Sequence, residues 1–181
     1  MKNPTRAQLV AAKNKTVPDV IGHNLKVLFC GINPGLYSGA VGHHFARPGN
    51  RFWKAMHLSG FTPTQFSPFD GAKLLQYGYG ITNIVARTTA AASDLSVQEL
   101  KDGEKILTKK VLRYKPKITA VLGIGAYRTA FNNPRARLGP QKETIGKTRL
   151  WVLPSPSGLN ASYQMKDLVK FFKMLKKATN K

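Results

Sequence analysis

The sequence predicts an α/β fold, a three-layer sandwich with a central, mostly parallel four-stranded sheet flanked by helices. Short apolar segments of strand character alternate with helical segments along the chain, which is the pattern of a parallel sheet covered on both faces. A capping box at Ser96 and Glu99 opens one long helix, and Met165, Leu168, Phe172 and Leu175 fall on one stripe of another. With 181 residues, 42% of them hydrophobic, the chain is long enough for one full core.

The elements follow in order. Residues 1 to 22 are polar and basic, contain Pro4 and Pro18, and read as a flexible N-terminal arm outside the core, leaving 23–181 as a single domain. Lys26 to Cys30 is the first strand, and a long loop from Gly31 to Gly49 follows it. Asn50 to Leu58 reads as a helix stopped at Gly60, and Leu74-Leu75 marks a short helix after a Pro-rich connection. Gly80 to Val85 is the second strand. The helix opened by Ser96 runs towards Tyr114 and is closed by Lys115-Pro116. Ile118 to Leu122 is the third strand, Ala126 to Phe131 a short helix, and Arg149 to Leu153 the fourth strand. A turn-rich exit, Pro154 to Asn160, leads to the final helix.

Charge narrows the partner. Lys and Arg number 29 against 8 Asp and Glu, a formal net charge of +21, which concentrates polyanions at the surface and makes nucleic acid the leading partner. No stretch is long and apolar enough to span a bilayer and no signal peptide precedes the first charges, so a soluble cytoplasmic protein is expected. Cys30 is the only cysteine, which excludes an intrachain disulfide, an iron-sulfur cluster and a cysteine-built zinc site; it reads as a small core residue.

Two motif fragments mislead. Ile145-Gly146-Lys147-Thr148 looks like the end of a phosphate-binding loop, but Gln141 stands where its first glycine belongs and a strand follows where a helix is needed. Gly123-Ile124-Gly125 has Arg128 in place of the third glycine of a dinucleotide fingerprint, and close helix packing explains it better. His43 and His44 are adjacent and poorly placed to share one metal ion, while His23 and His57 lie in other segments, so no metal and no cofactor is expected.

The most informative stretch is Gly31-Ile32-Asn33-Pro34-Gly35, a kinked, amide-rich loop at the end of the first strand, where α/β sheets bind ligands. Taken with Gly42-His43-His44-Phe45 and Pro48-Gly49-Asn50-Arg51-Phe52-Trp53, it resembles the first motif of the mismatch-specific uracil and thymine DNA glycosylases, the Mug/TDG branch of the uracil-DNA glycosylase superfamily. Gly80 to Thr89 and Val152 to Leu159 continue the resemblance in order, so it covers nearly everything from Lys26 to the final helix.

The resemblance implies the uracil-DNA glycosylase fold and hydrolysis of the N-glycosidic bond of a mispaired or damaged base in double-stranded DNA. The base must be flipped into a pocket, because stacking hides that bond. Asn33 matches the catalytic asparagine; its carboxamide cannot remove a proton at neutral pH, so it should orient water, and slow chemistry is expected. Phe45 matches the aromatic that stacks on the base. Backbone amides near Ile32 and Phe45 would receive the departing base's oxygen. Asn83 matches a residue that reads a base edge, with a strand-end hydrogen bond as the alternative, and Ser38 aligns near the C5 side of the ring, with a turn hydroxyl as the alternative.

Leu159, with Ser157, Gly158 and Asn160, matches the wedge loop that fills the place of the flipped base; otherwise Leu159 would anchor the loop to the core. Asp94 is a candidate auxiliary carboxylate, against the simpler role of favourable charge near a helix N-terminus. Tyr37 is bulkier than expected at its position, and Ala161 lacks the basic side chain expected near the wedge. Uracil opposite guanine is the expected substrate, with thymine, etheno-adducts and deaminated purines open. No lysine matches a Schiff-base position, so a monofunctional, monomeric enzyme leaving an abasic site is expected, in a nucleoid-associated bacterial setting. The alternative is a non-catalytic DNA-binding protein that keeps the fold.

Overall fold

Five strands make one mixed sheet in the computed structural model, which describes residues 3–179. In chain order they are β1 (Val27–Gly31), β2 (Tyr79–Asn83), β3 (Ile118–Leu122), β4 (Gly139–Ile145) and β5 (Thr148–Leu153). The spatial order is β2-β1-β3-β5-β4; the first four of these are mutually parallel and β4 pairs antiparallel with β5. The helices are α1 (Arg6–Ala11), α2 (Leu36–Val41), α3 (Phe52–Leu58), α4 (Val97–Tyr114), α5 (Ile124–Ala130) and α6 (Met165–Ala178).

The three-layer sandwich is as expected, but the sheet has five strands rather than four. The extra strand, β4, is Gly-Pro-Gln-Lys-Glu-Thr-Ile at the sheet edge, and only its two terminal residues are buried. A strand that buries so little shows no apolar alternation to read. Gly146, at φ +58°, makes the tight turn into β5, so the fragment resembling a phosphate-binding loop is the tip of a hairpin.

Alternation within β1 divides the core. Val27 and Phe29 enter a cluster with Phe52, Met56, Phe61 and Phe172 beneath α3 and α6; Leu28 and Cys30 enter another with Leu107, Val111 and Tyr127 beneath α4 and α5. Phe29 meets Phe52 and Phe61 edge-on and stacks on Phe172 at 6.0 Å, so its ring ties the sheet to α3 and α6. Burial raises the Cys30 thiol well above its ordinary pKa, in keeping with a core residue.

The capping box opening α4 forms as expected: Ser96 Oγ accepts from Glu99 N and Glu99 Oε2 from Ser96 N. Lys115 ends that helix in the left-handed region, with φ +51°. The segment around Leu74 is a 3-10 helix, Pro68–Tyr77. The long loop after β1 contains α2, too short and too glycine-rich for its period to be read.

The N-terminal segment is packed, which corrects its exclusion from the core. Ala12 and Val17 are buried, Val20 bridges to Ile81, and Asn14 N donates to Thr88 O while Thr88 N donates to Lys15 O. Thr88 Oγ1 also donates to Ala12 O. Sparse apolar residues conceal this, because the segment is held mainly through backbone groups.

Candidate active site

The parallel strands β1, β2, β3 and β5 end at Gly31, Asn83, Leu122 and Leu153, and a cleft of about 160 Å³ opens beyond them. Ile32, Asn33, Ser38, Phe45, Asn83, Ser157 and Leu159 all line it, so the structure brings most of the residues singled out in the sequence to one place.

Backbone pairing builds the wall that carries Asn33. Ile84 N donates to Gly31 O, Val85 N to Ile32 O and Thr89 N to Pro34 O, closing the loop after β1 against the segment after β2. Within this seam Asn33 Nδ2 donates to Arg87 O at 3.1 Å, to Thr89 Oγ1 at 2.7 Å and to Pro34 O at 3.2 Å. Two of these partners are carbonyls that can only accept, which fixes the orientation of the carboxamide. Thr89 Oγ1 donates onward to Ala91 O at 2.7 Å, so it too must act as an acceptor towards Asn33. The amide nitrogen is occupied by protein, and Oδ1 is left as the acceptor for a ligand or water.

Arg87 and Thr89 belong to the second motif but carried no role in the sequence reading. A polar, buried Thr-Thr pair just past a core strand was the available signal; Thr88 and Thr89 are 0% and 1% exposed. Arg87 is held by Glu99 through both carboxylate oxygens, at 2.5 and 3.1 Å, and the guanidinium beside it keeps the Glu99 carboxyl at about 2, far below its usual range.

Phe45 forms one face of the cleft. Its backbone lies at φ +53°, and its ring stacks on Phe52 with centroids 4.2 Å apart, tying it to the core. Ser38 is buried and its Oγ accepts from Ala46 N at 3.1 Å, so the hydroxyl fastens the turn that presents Phe45 while also lining the cleft. Asn83 lies opposite, with its Oδ1 over Gly31; a Cβ on Gly31 would come 2.4 Å from that oxygen and 3.3 Å from Phe45 Cζ. Any side chain there would displace the Asn83 carboxamide. His44 is buried beside Asn83, and burial pushes its imidazole below the ordinary pKa.

Leu159 stands at the mouth, 71% exposed, which rules out the alternative of an anchor into the core. The polar residues around it bond to one another: Leu159 N donates to Ser157 Oγ, Asn160 Nδ2 to Ser155 O and Ser162 N to Asn160 Oδ1. Arg51 fastens the loop from below, donating from Nη1 to Tyr163 O at 2.6 Å and from Nη2 to Ser157 O at 2.6 Å and Asn160 O at 3.0 Å. A cation this far committed to carbonyls is a brace rather than a phosphate ligand. Gly158 packs on Gly49, whose carbonyl oxygen would lie 2.8 Å from an added Cβ.

Asp94 falls outside the cleft. It is exposed, and its Oδ2 accepts from Ala91 N, capping the 3-10 turn Ala92–Asp94. The cleft is lined there by Ala90, Ala91 and Ala92 instead. Tyr37 points away to the N-terminal segment, its hydroxyl donating to Asn3 Oδ1. Among the described residues no group of three His, Cys, Asp or Glu side chains could hold a metal ion, and no helix is long and apolar enough to cross a membrane.

A mixed sheet between helices, with a small cleft at its carboxyl edge lined by a fixed carboxamide and an aromatic ring, defines an α/β protein with a ligand site beyond its strand ends. The chain belongs to the uracil DNA glycosylase superfamily, whose family model matches residues 18–180. The solution structure of a candidate uracil DNA glycosylase from Methanosarcina acetivorans is similar in fold, with a TM-score of 0.60 and 20% sequence identity over 90% of this chain and 98% of that one. Membership implies a hydrolase acting on N-glycosyl bonds, with DNA as its partner.

Proposed function

We propose that this protein is a monofunctional DNA glycosylase of the mismatch-specific uracil/thymine branch. It flips a mispaired base, with uracil opposite guanine the leading substrate, and hydrolyses its N-glycosidic bond with a water positioned by Asn33, leaving an abasic site. The observation that carries this is the saturation of Asn33 Nδ2 by Arg87 O, Thr89 Oγ1 and Pro34 O, which leaves Oδ1 to accept from water.

The chemistry follows from what lines the cleft. Flipping costs a few kcal/mol, least for a mispaired base. Leu159, exposed at the mouth, offsets part of that cost by occupying the vacated stack. The flipped ring stacks on Phe45 and presents its edge to Asn83. As the glycosidic bond lengthens, positive charge grows on the sugar and negative charge on the base. Asn33 Oδ1 holds water on the sugar side, and amides near Ile32 and Phe45 receive the base oxygen. No carboxylate and no lysine lines the cleft among the described residues, which supports a slow hydrolysis without a covalent Schiff base.

Incubation with a labelled duplex containing G:U, followed by alkali, tests this. Strand breakage with wild type that Asn33→Ala fails to produce is the expected result. DNA binding without release of any base from a panel of uracil, thymine, etheno-adducts and hypoxanthine would instead support a binding protein. With a formal charge of +21, DNA affinity should fall steeply with salt, and a flat response from low to physiological salt would contradict binding through phosphates.

A further inference from the structure

We propose that His44 is a positioning residue that sets base selectivity, holding the Asn83 carboxamide so that its oxygen, not its nitrogen, faces the base edge. The proposal rests on reading the cleft as a base pocket and specifies what that pocket selects.

The argument begins at Pro18. His44 Nε2 lies 2.9 Å from Pro18 O, a carbonyl that can only accept, so Nε2 carries the proton. In the neutral ring Nδ1 is then a lone pair, and Asn83 Nδ2 donates to it at 3.3 Å. Turning the carboxamide over would set Oδ1 against that lone pair. His44 and Asn83 are only 5% and 6% exposed, so water does not readily replace the lost bond. Asn83 is therefore held with Oδ1 above Gly31, beside the Phe45 ring.

A base stacked on Phe45 then meets a fixed acceptor. Rings with an N–H beside a carbonyl, such as the N3–H of uracil and thymine or the N1–H of hypoxanthine, donate to it. Cytosine and adenine present a bare ring nitrogen at the same place, and two lone pairs oppose each other. The discrimination expected from such a buried mismatch is on the order of tenfold or more.

Protonation of His44 would reverse the arrangement. Nδ1 would become a donor, and Asn83 would have to turn Oδ1 towards it and Nδ2 towards the base. Burial opposes that protonation most strongly; the bond to Pro18 O and then Asp19 favour it, and Lys110 and His43 oppose it. Asp19 is itself engaged by Lys110 Nζ and Thr82 Oγ1, which fixes the charge behind the histidine.

Duplexes carrying 5-fluorouracil or 5-fluorocytosine opposite guanine provide the test, because the fluorine helps both bases leave while their edges differ. Single-turnover rates should favour 5-fluorouracil at least tenfold with wild type. His44→Leu should reduce that ratio at least tenfold, whereas His44→Gln, whose amide can accept from Asn83 and donate to Pro18 O, should retain it. Equal loss of both rates in His44→Leu would reduce the histidine to a packing role and overturn the proposal. Should His44→Leu not fold, the unbranched His44→Met takes its place with the same expected loss of the ratio. A ratio unchanged in the variant that folds would overturn the proposal. Release of neither base by wild type would refute the base-pocket reading itself, a separate outcome from loss of selectivity.

Discussion

Asn33 Nδ2 lies 2.7 Å from Thr89 Oγ1, although the two residues are 56 positions apart in the chain. The bond locks the carboxamide across the seam between the first two strand exits, and because the Thr89 proton goes to Ala91 O, a lone pair of Oγ1 faces Asn33. Asn33→Ala should lower single-turnover uracil excision by about 10²-fold or more, the scale of a lost positioning group in the transition state. Thr89→Val keeps the shape and removes the acceptor; about a tenfold fall in rate with little change in DNA affinity is expected, read by single-turnover kinetics and fluorescence anisotropy. Asn33→Asp should not be faster at neutral pH, because its oxygens would face the Arg87 carbonyl without a proton to share.

Arg51 and Leu159 separate the structure of the wedge loop from its action. Arg51→Ala removes the donors to Tyr163, Ser157 and Asn160, and should cost about 1.5–3 kcal/mol in denaturant unfolding as well as weakening base flipping. Leu159→Ala, at a residue 71% exposed, should leave stability within about 0.5 kcal/mol while reducing the flipping signal of 2-aminopurine placed beside the mismatch. A loss of stability in Leu159→Ala equal to that of Arg51→Ala would mean that the side chain anchors the loop instead.

Gly31→Ala should disable the cleft from its floor. The new methyl would lie 2.4 Å from Asn83 Oδ1, so either Asn83 or the strand must move. Loss of excision with retained DNA binding, together with a lowered melting temperature, is the expected combination.

The Arg87–Glu99 pair sets an acid limit. The Glu99 pKa is depressed from the ordinary 4.5 to about 2, so its contribution to stability is present above the unfolded value and is lost as pH falls through the folded one. Melting temperatures of wild type and Glu99→Gln should therefore differ near neutral pH and converge between about pH 4.5 and about pH 2. Both side chains are partly exposed, at 30% and 34%, so the difference should be small and should shrink in salt.

The sequence by itself determined the layers and the neighbourhood of the site. The continuous apolar run Val27 to Cys30, the capping box at Ser96 and the stripe on α6 are local patterns, and local patterns report where an element begins and how much of it is buried. The order of three motifs likewise identified Asn33, Phe45, Asn83 and Leu159 as members of one cleft. Tertiary structure alone decided what depends on distant partners. It added β4, whose edge position leaves no apolar signature, and packed the N-terminal segment against Thr88 through backbone bonds that any side chains could accompany. It removed Asp94 from the cleft and brought in Arg51, Arg87 and Thr89. It also fixed the orientation of each carboxamide, because Asn33 Nδ2 and Asn83 Nδ2 meet Thr89 Oγ1 and His44 Nδ1, acceptors contributed from other segments of the fold.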